Sequence, residues 1–192
     1  MPADTAAVQA AINSLPEPVT VLGHSYGGSV ITGLRGARHL VHLAAFVPDA
    51  SESAAGLGGA SPQLKDAITP APDGSTSLNP DRAADALYGD CPEPLTAWAV
   101  DLLRAQAPGC GRGIPEHHSW KHDPSTYVVC AQDRAIDPVV QRRMASRCTD
   151  VREWQTGHSP FVGQPDLIVE LLQELLAANP PRQPDEGVTT GR

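Results

Sequence analysis

The chain is 192 residues long and 41% hydrophobic, which suits one domain with a sizeable core. Its 22 acidic against 14 basic residues leave a net charge of -8 with no basic run to offset it, which argues against nucleic acid and against anionic membrane surfaces as partners. The N-terminus has no charged leader followed by an apolar core, and no apolar run approaches the length of a membrane span, so a cytoplasmic location is expected.

From residue 4 to 15, Val8, Ala11, Ile12 and Leu15 recur at helical spacing and predict an amphipathic helix that stops before Pro16. A short β-branched run at 18–22 predicts a strand, and Gly23-His24-Ser25-Tyr26-Gly27-Gly28 follows it directly, with a helix-compatible stretch after. Strand, sharp turn and helix around G-x-S-x-G is the pattern of a nucleophile elbow, in which Ser25 is held in a strained turn. An ordinary glycine-rich turn would look the same in isolation; the context of strand and helix, with an acid and a histidine later in the chain, favours the elbow. Glycines at 23 and 27 are expected because a side chain at either flank would collide where the backbone crosses.

Residues 39–47 read as a second strand ending at Pro48, and both strands are nearly continuous apolar runs, as in a parallel sheet covered on two faces. From 50 to 123 the apolar runs shorten and Pro, Gly, Ser and Asp dominate, which marks an insertion. Within it, Asn79 with Pro80 predicts a capped helix ending near Gly89. Leu95, Trp98, Leu102 and Leu103 form a stripe at helical spacing, to be read either as packing onto the body or as a substrate-pocket wall. A third strand at 127–131 leads to Asp133, a helix over about 138–147 starts at Asp137-Pro138, and a fourth strand near 151–154 leads to Gly157-His158-Ser159. The last helix runs from Asp166, and the Pro-rich tail at 179–192 is expected to be disordered, leaving 1–178 as a single domain.

A serine hydroxyl needs a base within hydrogen-bond reach and a third group to orient that base. His158 and Asp133 stand in loops that a parallel sheet opens at the same carboxyl edge as the elbow, so Ser25, His158 and Asp133 are the candidate nucleophile, base and acid. Asp137 is the rival acid, though its place before Pro138 suits a helix cap. The N–H of Tyr26 is the expected oxyanion donor. Trp98, Leu102, Trp120 and Phe161 are the candidate substrate-contacting side chains. His117, His118 and His122 cluster in the insertion without a carboxylate at ligand spacing, so no metal is expected there. Cys91, Cys110, Cys130 and Cys148 are irregularly spaced and read as free thiols of a reducing compartment; a Cys91–Cys110 bridge would require export.

Taken together, residues 21–28, 43–49, 88–91, 125–136 and 157–161, with Gln164-Pro165, resemble an α/β-hydrolase, specifically the small bacterial esterase-like members related to plant esterases and hydroxynitrile lyases. The resemblance implies an α/β fold with a mostly parallel sheet, helices on both faces and a helical cap over the site formed by about 50–123. It also implies Ser25, His158 and Asp133 as triad, a small-molecule ester as substrate, and no metal or organic cofactor. The lyases place lysine directly after the catalytic histidine, where this chain has Ser159. Relatives also carry first strands and a His-Gly oxyanion loop ahead of the segment equivalent to Met1, so only the second half of the sheet is expected here. A chain lacking that front would be weakly active or would bind a ligand or partner without turnover, and its exposed sheet edge would invite homo-oligomers.

Overall fold

The computed structural model describes residues 2–178; the tail expected to be disordered, 179–192, lies outside the described residues. Helix α1 (Pro2–Asn13) leads to strand β1 (Thr20–His24), helix α2 (Gly27–Thr32) and strand β2 (His39–Leu43). A long excursion follows, with α3 (Ala54–Leu57), α4 (Pro62–Ala67), the hairpin of β3 (Ile68–Pro70) and β4 (Thr76–Leu78), α5 (Pro80–Tyr88), α6 (Glu93–Asp101) and a 3-10 turn at Ser119–Lys121. The chain then returns to the sheet with β5 (Ser125–Cys130), α7 (Pro138–Ala145), β6 (Asp150–Trp154), α8 (Pro160–Gly163) and α9 (Pro165–Ala178).

The main sheet has the order β1-β2-β5-β6 and every pairing in it is parallel. Parallel neighbours need crossover connections, and the helices that supply them cover both faces. On one face Val41, Leu43, Val128 and Cys130 pack with Leu171 and Leu175 of α9. On the other, Tyr127 and Val129 meet Met144 and Ala145 of α7, while Leu40 meets Ile31 and Leu34 at α2. Alternate residues of β2 and β5 thus feed opposite layers, and apolar side chains are needed at nearly every position. Among the described residues no helix is long and apolar enough to cross a membrane.

The local signals hold in detail at several ends. Asn79 Oδ1 accepts the Arg82 N–H and Asp137 Oδ1 accepts the Val139 N–H, each with a proline at the next residue. Two expectations are corrected. Leu15 lies past the end of α1 and is exposed, because the helix stops at Asn13 and only Val8 and Ile12 reach the apolar cluster at α2. The stripe on α6 is not its buried face: Trp98 is 57% exposed and Leu102 51%. α6 buries Thr96 and Ala99 instead, and the Thr96 hydroxyl donates to the carbonyl oxygens of Tyr88 and Cys91. Small residues let this helix approach α5 closely, so the large ones are left outside.

The hairpin, α3 and α4 carry no strong periodicity in the sequence and come from tertiary context. The glycines of the elbow also divide differently from expectation. A Cβ on Gly23 would lie 2.6 Å from the Gly27 carbonyl oxygen, and one on Gly28 would lie 2.6 Å from both Ala45 Cβ and the Phe46 carbonyl oxygen, whereas Gly27 faces open space. Gly28→Ala is expected to destabilise by about 1–3 kcal/mol through overpacking. Gly27→Ala, at the start of a helix, is expected to be neutral or slightly stabilising. Thermal unfolding of the two variants checks this, and an equal loss in both would contradict it.

Candidate active site

Ser25 follows the last residue of β1 and has φ +54°, a left-handed conformation that a non-glycine residue adopts only at a cost of about 1–3 kcal/mol. The surroundings hold it there. Its N–H donates to the Leu43 carbonyl at the end of β2, and its own carbonyl accepts N–H groups from Phe46 and Gly28. The backbone therefore turns sharply between strand and helix, and the Ser25 side chain lines a cavity of about 530 Å3 beyond the carboxyl edge of the sheet. Tyr26, next in the chain, leads into α2, and its phenol donates to Asp4 Oδ2 at 2.6 Å, pinning the turn to α1. Burial and the Asp4 contact push that phenol well above its ordinary range, so it stays protonated.

Asp133 follows β5 and His158 follows β6, and the two meet at 2.7 Å between Asp133 Oδ2 and His158 Nδ1. They are 6% and 3% exposed. A carboxylate at Nδ1 accepts the hydrogen bond of Nδ1–H, which keeps the ring proton on that nitrogen and leaves Nε2 as the basic position of the ring. His158 lines the same cavity as Ser25.

The Asp133 carboxylate is held by four donors. Oδ1 accepts the N–H groups of Ala135 and Ile136 at 2.6 and 2.9 Å, and Oδ2 accepts Gln141 Nε2 at 2.7 Å beside the histidine. Gln141, wholly buried on α7, also donates to the Ile136 carbonyl and accepts the Cys130 N–H. Asp137 makes no part of this: its carboxylate is engaged at the N-terminus of α7.

Two further residues grip the histidine loop. His24 Nε2 lies 2.8 Å from the His158 carbonyl, and since a carbonyl only accepts, that nitrogen carries the proton. Its ring packs against the His158 ring at 4.4 Å between centroids and edge-on to Phe161 at 4.9 Å. Burial, with the neighbouring His158, drives the His24 imidazole down to about 3, so it is neutral at any working pH. Asp90, in the excursion just after α5, accepts the Gly157 N–H at 2.6 Å. A Cβ on Gly157 would sit 2.3 Å from Asp90 Oδ1, so only glycine admits this contact.

Of the side chains expected to contact substrate, Phe161 lines the cavity and Trp98, Leu102 and Trp120 do not. Trp98 and Leu102 point to solvent, and Leu103, the last of the same stripe, takes the wall position. Trp120 packs at the edge of the α7 layer, its Nε1–H donating to the Pro48 carbonyl. Sequence reading missed Gln141, Asp90 and the grip of His24. For Gln141 a signal exists: it is the polar position on the face of α7 that buries Met144 and Ala145. For Asp90 the one signal is its place in the 88–91 segment that carries the family resemblance; its contact with Gly157, 67 residues away, is not written there.

The four cysteines are free thiols, and burial holds Cys91 and Cys148 at about 11 and Cys130 at about 12. His117 and His122 stack at 5.4 Å, and no group of three or more potential metal ligands occurs among the described residues.

Comparisons with known proteins agree with this architecture. The profile of the alpha/beta hydrolase family matches residues 2–171. An alpha/beta hydrolase of Aspergillus novofumigatus, nvfD, is 31% identical over 191 residues, covering 88% of this chain and 76% of that protein. Among solved structures, a pyrethroid hydrolase from Sphingobium faniae JZ-2 superposes with a TM-score of 0.74 at 20% identity, covering 92% of this chain and 77% of that one. A methylesterase from Arabidopsis gives a TM-score of 0.68 at 21% identity, covering 89% of this chain and 75% of that one. With its elbow, its parallel sheet and a family match over nearly all the described residues, the chain belongs to the alpha/beta hydrolase family.

Proposed function

We propose that this protein hydrolyses small carboxylic esters through an acyl-serine intermediate, with Ser25 as nucleophile, His158 as base and Asp133 as the orienting acid. The observation that carries this reading is the 2.7 Å contact of two buried groups, Asp133 and His158, on the wall of the cavity that Ser25 also lines. That the solved structures with this fold include a methylesterase and pyrethroid hydrolases supports it.

In the reaction, Ser25 Oγ attacks the ester carbonyl carbon while His158 Nε2 takes its proton. The tetrahedral oxyanion accepts the N–H of Tyr26, the residue after the nucleophile. Collapse expels the alcohol, which takes the proton from His158. Water, deprotonated by the same histidine, then attacks the acyl-serine and releases the acid. Asp133 stays ionised throughout and stabilises the imidazolium that forms twice per cycle.

A fluorophosphonate probe followed by peptide mapping should place the adduct on Ser25, the one serine in a left-handed turn between strand and helix at the cavity. A burst of p-nitrophenol from an activated ester should accompany it. An adduct on another serine of the folded protein, with Ser25 unmodified, would sink the triad.

A further inference from the structure

The cavity beside Ser25 is mostly apolar, its walls including Leu64, Ile68, Leu78, Leu87 and Leu103. Although acidic residues outnumber basic ones by 22 to 14, no aspartate, glutamate or lysine lines it. One permanent charge does: Arg104, just beyond the end of α6. Of the other arginines among the described residues, Arg38, Arg134, Arg142, Arg147 and Arg152 each face a carboxylate and Arg35, Arg82, Arg112 and Arg143 do not, but none of these nine lines the cavity. Arg104 faces none among the described residues. It donates through Nη1 to the carbonyl oxygens of Asp101 and Leu103, at 3.2 and 2.9 Å, which leaves Nε and Nη2 without a protein acceptor among those residues.

A guanidinium holds two parallel donors in a fixed fork that matches a carboxylate. On the wall of a mostly apolar cavity with no carboxylate in its lining, it selects a ligand that is largely apolar along its length and anionic at one end. A protein with this excess of acid would repel such a ligand at most of its surface, so a carboxylate-free cavity with a single unpaired arginine is where it could settle. We propose that the substrate class is an ester carrying a free carboxylate, such as the monoester of a dicarboxylic acid, with that carboxylate on Arg104 and the ester carbonyl at Ser25. This rests on the hydrolase reading above and adds the charge of the substrate to it.

The test compares mono-p-nitrophenyl esters of succinic, glutaric, adipic and suberic acid with the same compounds capped as methyl esters. The acid is expected to exceed its capped form in kcat/KM by about tenfold at the best length, the modest effect expected of an exposed charge-assisted contact. That preference should shrink with added salt, fall to near one in Arg104→Gln and survive in part in Arg104→Lys. A ratio of one or below at every length, or a preference that Arg104→Gln leaves intact, overturns the proposal. Calorimetry of monomethyl adipate on Ser25→Ala reads the same contact without turnover. About tenfold weaker binding after adding Arg104→Gln supports it, and equal binding overturns it. If no ester is cleaved and Ser25 takes no fluorophosphonate, the hydrolase reading falls, and calorimetry still decides the role of Arg104.

Discussion

Asp133→Asn is expected to lower kcat by about 10⁴-fold, the loss seen when a triad acid is replaced by its amide and the histidine is left in the wrong tautomer. The bonding here makes the loss hard to avoid. Both oxygens of Asp133 already serve two donors each, Ala135 and Ile136 on one and Gln141 and His158 on the other. An asparagine has one acceptor oxygen, so whichever way it turns, its amide N–H groups confront two donors in a buried site. If the oxygen keeps the backbone pair, His158 loses the acceptor at Nδ1, and its proton moves to Nε2, where the base should be. Asp137→Asn should leave kcat near wild type and stability within a few tenths of a kcal/mol, since asparagine caps a helix as well as aspartate. Steady-state kinetics on the two variants decides the matter. Activity lost in the Asp137 variant and kept in the Asp133 variant would reverse the assignment.

The folded protein is expected to lose about 4 kcal/mol of stability between pH 7.5 and pH 5. His24 and His42 are both held near 3 by burial, against an ordinary value of 6.5 in the unfolded chain. His42, on β2 with its ring stacked 6.5 Å from Tyr127, has no partner for either ring nitrogen among the described residues, and His39 on the same strand adds a repulsive charge. A histidine with a depressed value binds its proton mainly when unfolded. Its stabilising share is therefore complete above pH 6.5 and declines as the pH falls from there toward 3. At pH 5 the gap is about 1.5 units, or about 2 kcal/mol for each residue. Two such groups remove about a quarter or more of the roughly 5–15 kcal/mol stability of an ordinary domain. The depressed carboxylates, Glu52 and Glu153 among them, act at lower pH, whereas His39 and His117, also lowered chiefly by burial, act in this window and in the same direction. Urea titrations at pH 7.5, 6 and 5 check the slope, and His42→Leu should remove about half of it. In NMR titration, His24 and His42 should fail to protonate above pH 5 in the folded state. A flat stability across this range, or ordinary titration of His24 and His42, would contradict it.

How much of this was legible follows from the range of each interaction. The sheet strands, the elbow and the caps at Asn79 and Asp137 are local patterns, and the structure places each within a few residues of expectation. Asp133 and His158 were nameable because a parallel sheet sends both loops to one edge. The walls of the cavity were not. Trp98 and Leu102 share a stripe with Leu103, yet the helix turns on the small residues Thr96 and Ala99, and size alone did not say which face is inward. The glycines illustrate the same limit. Gly27 and Gly28 are equivalent in the motif, and only the position of Ala45 and Phe46 shows which of them is tightly packed.

The reach of Asp90 bears on how such a protein can diverge. An excursion that only covered the cavity could be exchanged for another of similar span, with the chemistry on the sheet passing unchanged to the new lid. In this chain the excursion also supplies the acceptor for the Gly157 N–H, and Ser119 near its end donates to the carbonyl oxygens of Ile31 and Thr32 in the last turn of α2. The excursion and the His158 loop are thus bound to each other. A graft that changed the shape of the cavity would have to bring its own carboxylate to the same spot, so new specificities should arise here by point substitution along the walls more readily than by exchange of the whole segment.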